Sequence, residues 1–277
     1  MHESIVERIL YKVVKRHIAG TTISSAIEKA KELNSNGIPV SMSFLSSKVN
    51  RLPKARYVAN TYVELVHRIA RFGLKASIQV PLDEIGYTLS SESSLAYLRS
   101  IVQLSNKLGI FTWIELPDNG TRKLKLQGKG IGYAISAANT NRIEDIYGNP
   151  VKLIFPLTEA DQEGKGANSK RETAKVNVSE ELGAVRHALE SANSVALQAP
   201  PERLISTLLK NSAYKKSLIF EFQLGYANKT LLSIKKKGWR VSMYVPFGKG
   251  WVDYAVTRIQ GHYTRMIARK LLDGKKV

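Results

Sequence analysis

The residue types best able to bind or transform a ligand gather toward the end of the chain. The stretch MYVPFGKGWVDYAVTRIQ, residues 243–260, reads as a strand, a Pro-aromatic-Gly turn and a helix, carrying Tyr244, Tyr254 and Arg258. Basic groups follow the same trend. The chain has 42 Lys and Arg against 23 Asp and Glu, a formal net charge of +19. Residues 229–277 alone hold twelve basic side chains against Asp253 and Asp273. Such an excess suits a polyanionic partner, through long-range attraction and counterion release. SIKKKGWR contributes Lys235, Lys236, Lys237 and Arg240, and HYTRMIARKLLDGKKV contributes Arg265, Arg269, Lys270, Lys275 and Lys276. Trp239, His262 and Tyr263 lie among them as candidate stacking groups for unpaired bases.

Other chemistries are excluded by what the chain lacks. There are no cysteines, hence no disulfide, thiol nucleophile or cysteine-bound metal. The five histidines show no i, i+4 pair. EGKGANSK lacks the spacing of a phosphate loop. No run of 18 apolar residues predicts a transmembrane helix. The opening MHESIVERILYKVVKRHIAG has acids and apolar residues at helical spacing, so an amphipathic helix over 3–19 is expected rather than an export leader, and a cytoplasmic location with it.

The elements that must position these residues alternate in type. Eight β-rich runs are expected at 38–45, 75–82, 111–117, 130–137, 151–157, 194–199, 218–225 and 240–247, separated mostly by amphipathic segments of helical period. Eight such units predict one α/β domain over 1–277, a closed (β/α)8 TIM barrel of parallel strands with a basic helical extension at 251–277. Between the third and fourth strands only DNGTRKLKLQGK is available. The helix there is expected to be missing, replaced by an extended arm carrying Arg122, Lys123, Lys125 and Lys129.

The chain resembles the FAD-dependent proline dehydrogenases, which are distorted (β/α)8 barrels. The likeness rests on KRHIAGTTISSAIEKAKELNSNGIPVSMSFL, on LIFEFQLGY and on RVSMYVPFGKGWVDYAVTRI. It implies a flavin cradled by a lysine from strand two, a glutamine from strand four, an Arg and a Lys followed by Gly-Ala from strand five, and a Thr-His pair after strand six. This chain offers Gln79 or Pro81, Ser136, Lys152 and Phe155 followed by Pro156, and Ala199-Pro200. The resemblance also implies two adjacent arginines for the substrate carboxylate, where Thr257-Arg258 stands here; Tyr244, Tyr254 and Glu115 match.

Two expectations result. The principal one is a barrel that has lost its flavin site, holds no cofactor, and binds RNA or the ribosome through the basic groups named above. It has Phe155 and Pro156 filling space the flavin would need. The alternative is a divergent FAD-dependent enzyme oxidising L-proline to 1-pyrroline-5-carboxylate, with Tyr244, Tyr254 and Arg258 around the substrate. Attachment to an anionic membrane surface through the basic extension is a third.

Overall fold

The structure, a computed structural model, describes residues 14–118, 126, 128–156, 178–226, 228–252 and 254. Eight strands close into a barrel in chain order: β1 Val40–Phe44, β2 Ala76–Pro81, β3 Thr112–Glu115, β4 Ile131–Ser136, β5 Val151–Ile154, β6 Val195–Gln198, β7 Leu218–Gln223 and β8 Arg240–Phe247. Every pairing is parallel, including the closing one, in which Val40 faces Met243 and Phe44 faces Phe247. All eight expected strands are present. The helices are α1 Ile23–Ser35, α2 Leu52–Arg71, α3 Ser91–Lys107, α4 Val178–Ser191, α5 Glu202–Leu208 and α6 Asn228–Lys236.

Strand alternation sorts the side chains into two compartments. Met42, Ile78, Val80, Ile114, Tyr133, Leu153, Leu197, Phe220 and Met243 point outward and pack with Ile27, Tyr62, Leu65, Leu98, Val185 and Leu231 of the helices in one apolar core. The other face of each strand points to the barrel axis. Helix starts are set locally. Thr22 and Ser25 form a capping box at the head of α1, and the Ser90 hydroxyl accepts from Ser93 N–H at the head of α3.

Of the third connection, where a helix was expected to be missing over 118–129, only 118, 126, 128 and 129 are described, and these carry no helix; the rest of that expectation falls outside the described residues. The fourth was not anticipated. Only a short 3₁₀ segment, Thr140–Ile146, joins β4 to β5, and Ile143 and Ile146 cover the barrel in place of a full helix. The expected helix 3–19 falls almost wholly, and the extension 251–277 mostly, outside the described residues, as do Arg122, Lys123, Lys125, Arg258, Arg265, Arg269, Lys270, Lys275 and Lys276.

One side chain holds the barrel where two strands part. The β1–β2 register is last matched at Met42 and Ile78. Beyond it, the buried Tyr62 hydroxyl of α2 accepts from Phe44 N–H at 3.1 Å and donates to Gln79 C=O at 2.8 Å. Tyr62→Phe keeps the packing but strands one buried donor and one buried acceptor. It is expected to cost about 1–3 kcal/mol, read as a lower urea midpoint with unchanged m-value.

Candidate functional site

The centre of the barrel is polar. Lys152 enters it because Val151 and Leu153 on either side take the outward positions of β5. Its ammonium is fully buried and donates to Ser41 Oγ at 3.0 Å, Gln79 Oε1 at 2.8 Å and Glu221 Oε1 at 2.7 Å. Three acceptors use all three protons, the number only the charged form carries. The Trp113 ring lies 4.7 Å from the same nitrogen. Burial pushes the lysine pKa down, and the Glu221 carboxylate opposes that fall.

The network continues in both directions along the axis. Glu221 Oε2 accepts from Ser242 Oγ at 3.1 Å toward the N-terminal mouth. Toward the C-terminal mouth, Gln79 Nε2 donates to Glu115 Oε2 at 2.7 Å. Gln79 therefore reads the cation with one end of its amide and an acid with the other.

The C-terminal mouth gathers Asp83 and Glu84 after β2 with Glu115 and Asp118 at the end of β3. Burial, with Glu115 and Asp83 nearby, pushes Glu84 up to about 8 despite a 3.0 Å hydrogen bond from Ser46 N–H. Asp83 is raised by burial and then by Glu115 and Asp118. On the opposite wall, Gln223 Nε2 donates to Tyr254 OH. Tyr244 and Tyr254 are both buried, with Val14, Ile18, Leu45 and Trp251 around them. The turn between β8 and its helix docks tightly on the loop after β1. Gly250 N–H donates to Leu45 C=O at 2.9 Å, and a Cβ on Gly250 would stand 2.1 Å from Ser46 C=O. Only glycine fits that approach.

Two features mark the end of β6. Gln198 is 2% exposed, yet its side-chain oxygen has no hydrogen-bond partner. By alternation with Val195 and Leu197 it faces the axis, between Ile154 and Glu221. The next residue, Ala199, sits at φ 54, alone in positive φ among the described non-glycine residues. That conformation costs about 1–3 kcal/mol and concentrates at functional positions.

Several expectations need correction. Phe155 does not fill the flavin region: it continues the outward set of β5 into the core between barrel and helices, its N–H bonded to Gln198 C=O. Pro156 is exposed beyond it, and Pro200 is buried just past the β6 end. Gln79 and Lys152, read as degenerate positions, are the centre of the polar network. Ser136 is half-buried, its hydroxyl within 3.4 Å of Ala138 N–H. The sequence reading missed Ser41, Trp113, Gln198, Glu221 and Ser242. The signal available was one lysine and one glutamate at inward positions of separate strands, VKLI and LIFEFQ, since buried opposite charges require each other.

Of the basic groups, Lys129, Lys236, Lys237 and Arg240 are exposed and Lys235 is half-buried. They have no aromatic platform in Trp239, which is 7% exposed and packs edge-on against Phe220 at 5.6 Å. No described helix is long and apolar enough to cross a membrane, and no described His, Asp and Glu cluster could hold a metal ion.

Two outcomes follow from this geometry. Lys152→Met leaves the Glu221 carboxylate buried and unpaired, so it should destabilise by about 3–5 kcal/mol, while Lys152→Met with Glu221→Gln should recover much of that loss. Glu84 holds its proton more tightly when folded, from an ordinary 4.5 to about 8. Its contribution is complete below about pH 4.5 and is lost as pH rises through about 8. Urea midpoints taken across that window should therefore fall less steeply in Glu84→Gln than in the parent.

Comparison with known proteins agrees with the barrel. No family model matches. Proline dehydrogenase 1 of Bacillus subtilis (strain 168) is 26% identical over 271 residues, covering 88% of this chain and 85% of its own. Proline dehydrogenase of Deinococcus radiodurans is 19% identical over 290 residues, covering 93% and 88%. Among solved structures, proline utilization A from Bdellovibrio bacteriovorus, inactivated by N-propargylglycine, superposes with a TM-score of 0.70 at 16% identity, over 88% of this chain. A proline utilization A mutant from Bradyrhizobium japonicum gives 0.65 at 14% identity, over 91%. The chain spans about a third of those two longer proteins, 32% and 31%. These relatives overturn the expectation of an RNA- or ribosome-binding protein, which rested on net charge: they are named proline dehydrogenases, and no similarity supports binding to RNA or the ribosome. In sequence and in fold, the chain is similar to the proline dehydrogenases.

Proposed function

We propose that the chain is an FAD-dependent oxidoreductase converting L-proline to 1-pyrroline-5-carboxylate at the C-terminal mouth of the barrel. The observation that carries this reading is the orphaned buried oxygen of Gln198, on the axis one strand from Lys152. A flavin needs a primary amide or its equivalent for its imide edge, and a positive group near the ring. Strands four and two lack them here, in Ser136 and Gln79. Gln198 on β6 and Lys152 on β5 supply the same two chemistries from neighbouring strands. Phe155, packed outside the barrel, leaves the axis clear. The residues present therefore fit the group. When bound, FAD supplies the two-electron acceptor for a hydride leaving the ring carbon next to the proline nitrogen.

The protein's own residues prepare that step. Glu221 keeps Lys152 in its charged form on the axis, and nearer the mouth Gln79 carries the chain of hydrogen bonds to Glu115 and its acidic neighbours. That acidic wall favours the protonated secondary amine on entry. One N–H proton then passes to solvent, freeing the lone pair that forms the C=N bond as hydride leaves, and the wall stabilises the resulting cationic C=N centre. Loss of the nitrogen-bound proton to solvent completes the product. Tyr254, fixed by Gln223, and buried Tyr244 form an aromatic wall that excludes water from the reacting carbon. Arg258, beyond the described residues, is the carboxylate partner that the matched motif supplies.

Protein produced with excess riboflavin should purify yellow and reduce an artificial dye only when proline is added. Tyr254→Phe should keep the flavin and raise KM for proline by about tenfold, the scale of one lost polar contact. Gln198→Leu should lower flavin content. A colourless product without proline-dependent dye reduction would sink the reading.

A further inference from the structure

We propose that the N-terminal mouth of the barrel is a second binding site, for a small planar apolar molecule bearing one carboxylate. A cavity of about 560 Å³ opens there, within the size range of small-molecule sites. It is walled by residues at the starts of six strands, from Val40 of β1 round to Val241 and Ser242 of β8, with Pro150 just before β5. It lies at the opposite end of the axis from the acidic mouth and does not depend on the flavin reading.

The hollow is made by small inward residues where a barrel of this kind packs a layer of branched ones. Ser77 and Ala196 take those positions on β2 and β6. On β4 there is only Gly132, because the Trp113 ring crosses that strand, and a Cβ would stand 2.6 Å from it. Trp113 and Phe111 then present aromatic surface to the cavity, with their rings 4.8 Å apart. Ile219, Val241, Pro39 and Pro150 extend the apolar wall. These surfaces select a flat hydrophobic body.

Charge selects the other end of the ligand. Glu221 is the sole acid lining the cavity, and its carboxylate is already held by Lys152 and Ser242 at the inner end. Exposed Lys75 and Arg240 stand on the rim. One guanidinium nitrogen of Arg240 donates to Lys216 C=O at 3.0 Å, which orients the group and leaves its other N–H groups for an anion. An apolar body against Trp113 with a carboxylate at Arg240 satisfies both requirements. An uncharged aromatic satisfies one.

The test uses 2-naphthoate as the probe, by isothermal titration against the full chain, with 2-naphthalenemethanol as the uncharged counterpart. One saturable site is expected, unchanged by excess L-proline and accompanied by a rise in Tm. The alcohol should bind roughly tenfold more weakly, and Arg240→Gln should weaken naphthoate by a similar factor while leaving the alcohol unaffected. Ala196→Leu fills the hollow and should abolish both. Arg240 is exposed, so its variant keeps the test decisive even where Ala196→Leu fails to fold. Absence of binding, binding indifferent to Arg240→Gln, or displacement by proline would each overturn the assignment.

Discussion

A lysine ammonium with three acceptors and no solvent is the constraint around which this barrel is organised. Stripped of water, Lys152 must have Ser41, Gln79 and Glu221 within bonding distance, and these come from β1, β2 and β7. With β5 itself, four strands are tied to one nitrogen. A buried pair of this kind adds little net stability over a packed apolar core, but removing one partner is costly. It therefore specifies register. A one-residue slip of β5 would drive Lys152 into the apolar layer and bring Val151 or Leu153 against Glu221.

The same network separates the two ends of the axis. At the N-terminal side, Ser242 and Glu221 close off a hollow lined by small and aromatic residues. At the C-terminal side, Gln79 passes the hydrogen-bond chain to Glu115, where the acids after β2 and β3 crowd one another. Burial first, and then these neighbouring acids, push Glu84 up to about 8 while it pins the loop after β1 through Ser46. That loop is also the one on which Gly250 rests. The mouth geometry is thus maintained from two sides, by a carboxyl group and by a glycine turn.

Every strand presents alternate residues to the axis, so Lys152 of β5 and Gln198 of β6 come to the same polar centre as Gln79 of β2 and Glu221 of β7. Position-by-position matching along the chain does not register that convergence.

The fold was legible in the sequence to a large degree. Eight β-rich runs, amphipathic spacing between them and the short third connection are local properties, and local periodicity is set by backbone geometry. RVSMYVPFGKGWVDYAVTRI likewise carried the resemblance to the proline dehydrogenases through residue types at fixed spacing. The tertiary structure alone decided which way each side chain faced. Phe155 and Lys152 are three positions apart, so with period two they must point to opposite faces, but the sequence did not say which faced the axis. The Lys152–Glu221 pair joins residues 69 positions apart, and Gln79 lies 73 from Lys152. Barrel closure creates those contacts, and no local pattern encodes them. The basic excess misled for the same physical reason: charge is counted along the chain, whereas a binding surface requires partners in space, and Trp239 had turned inward.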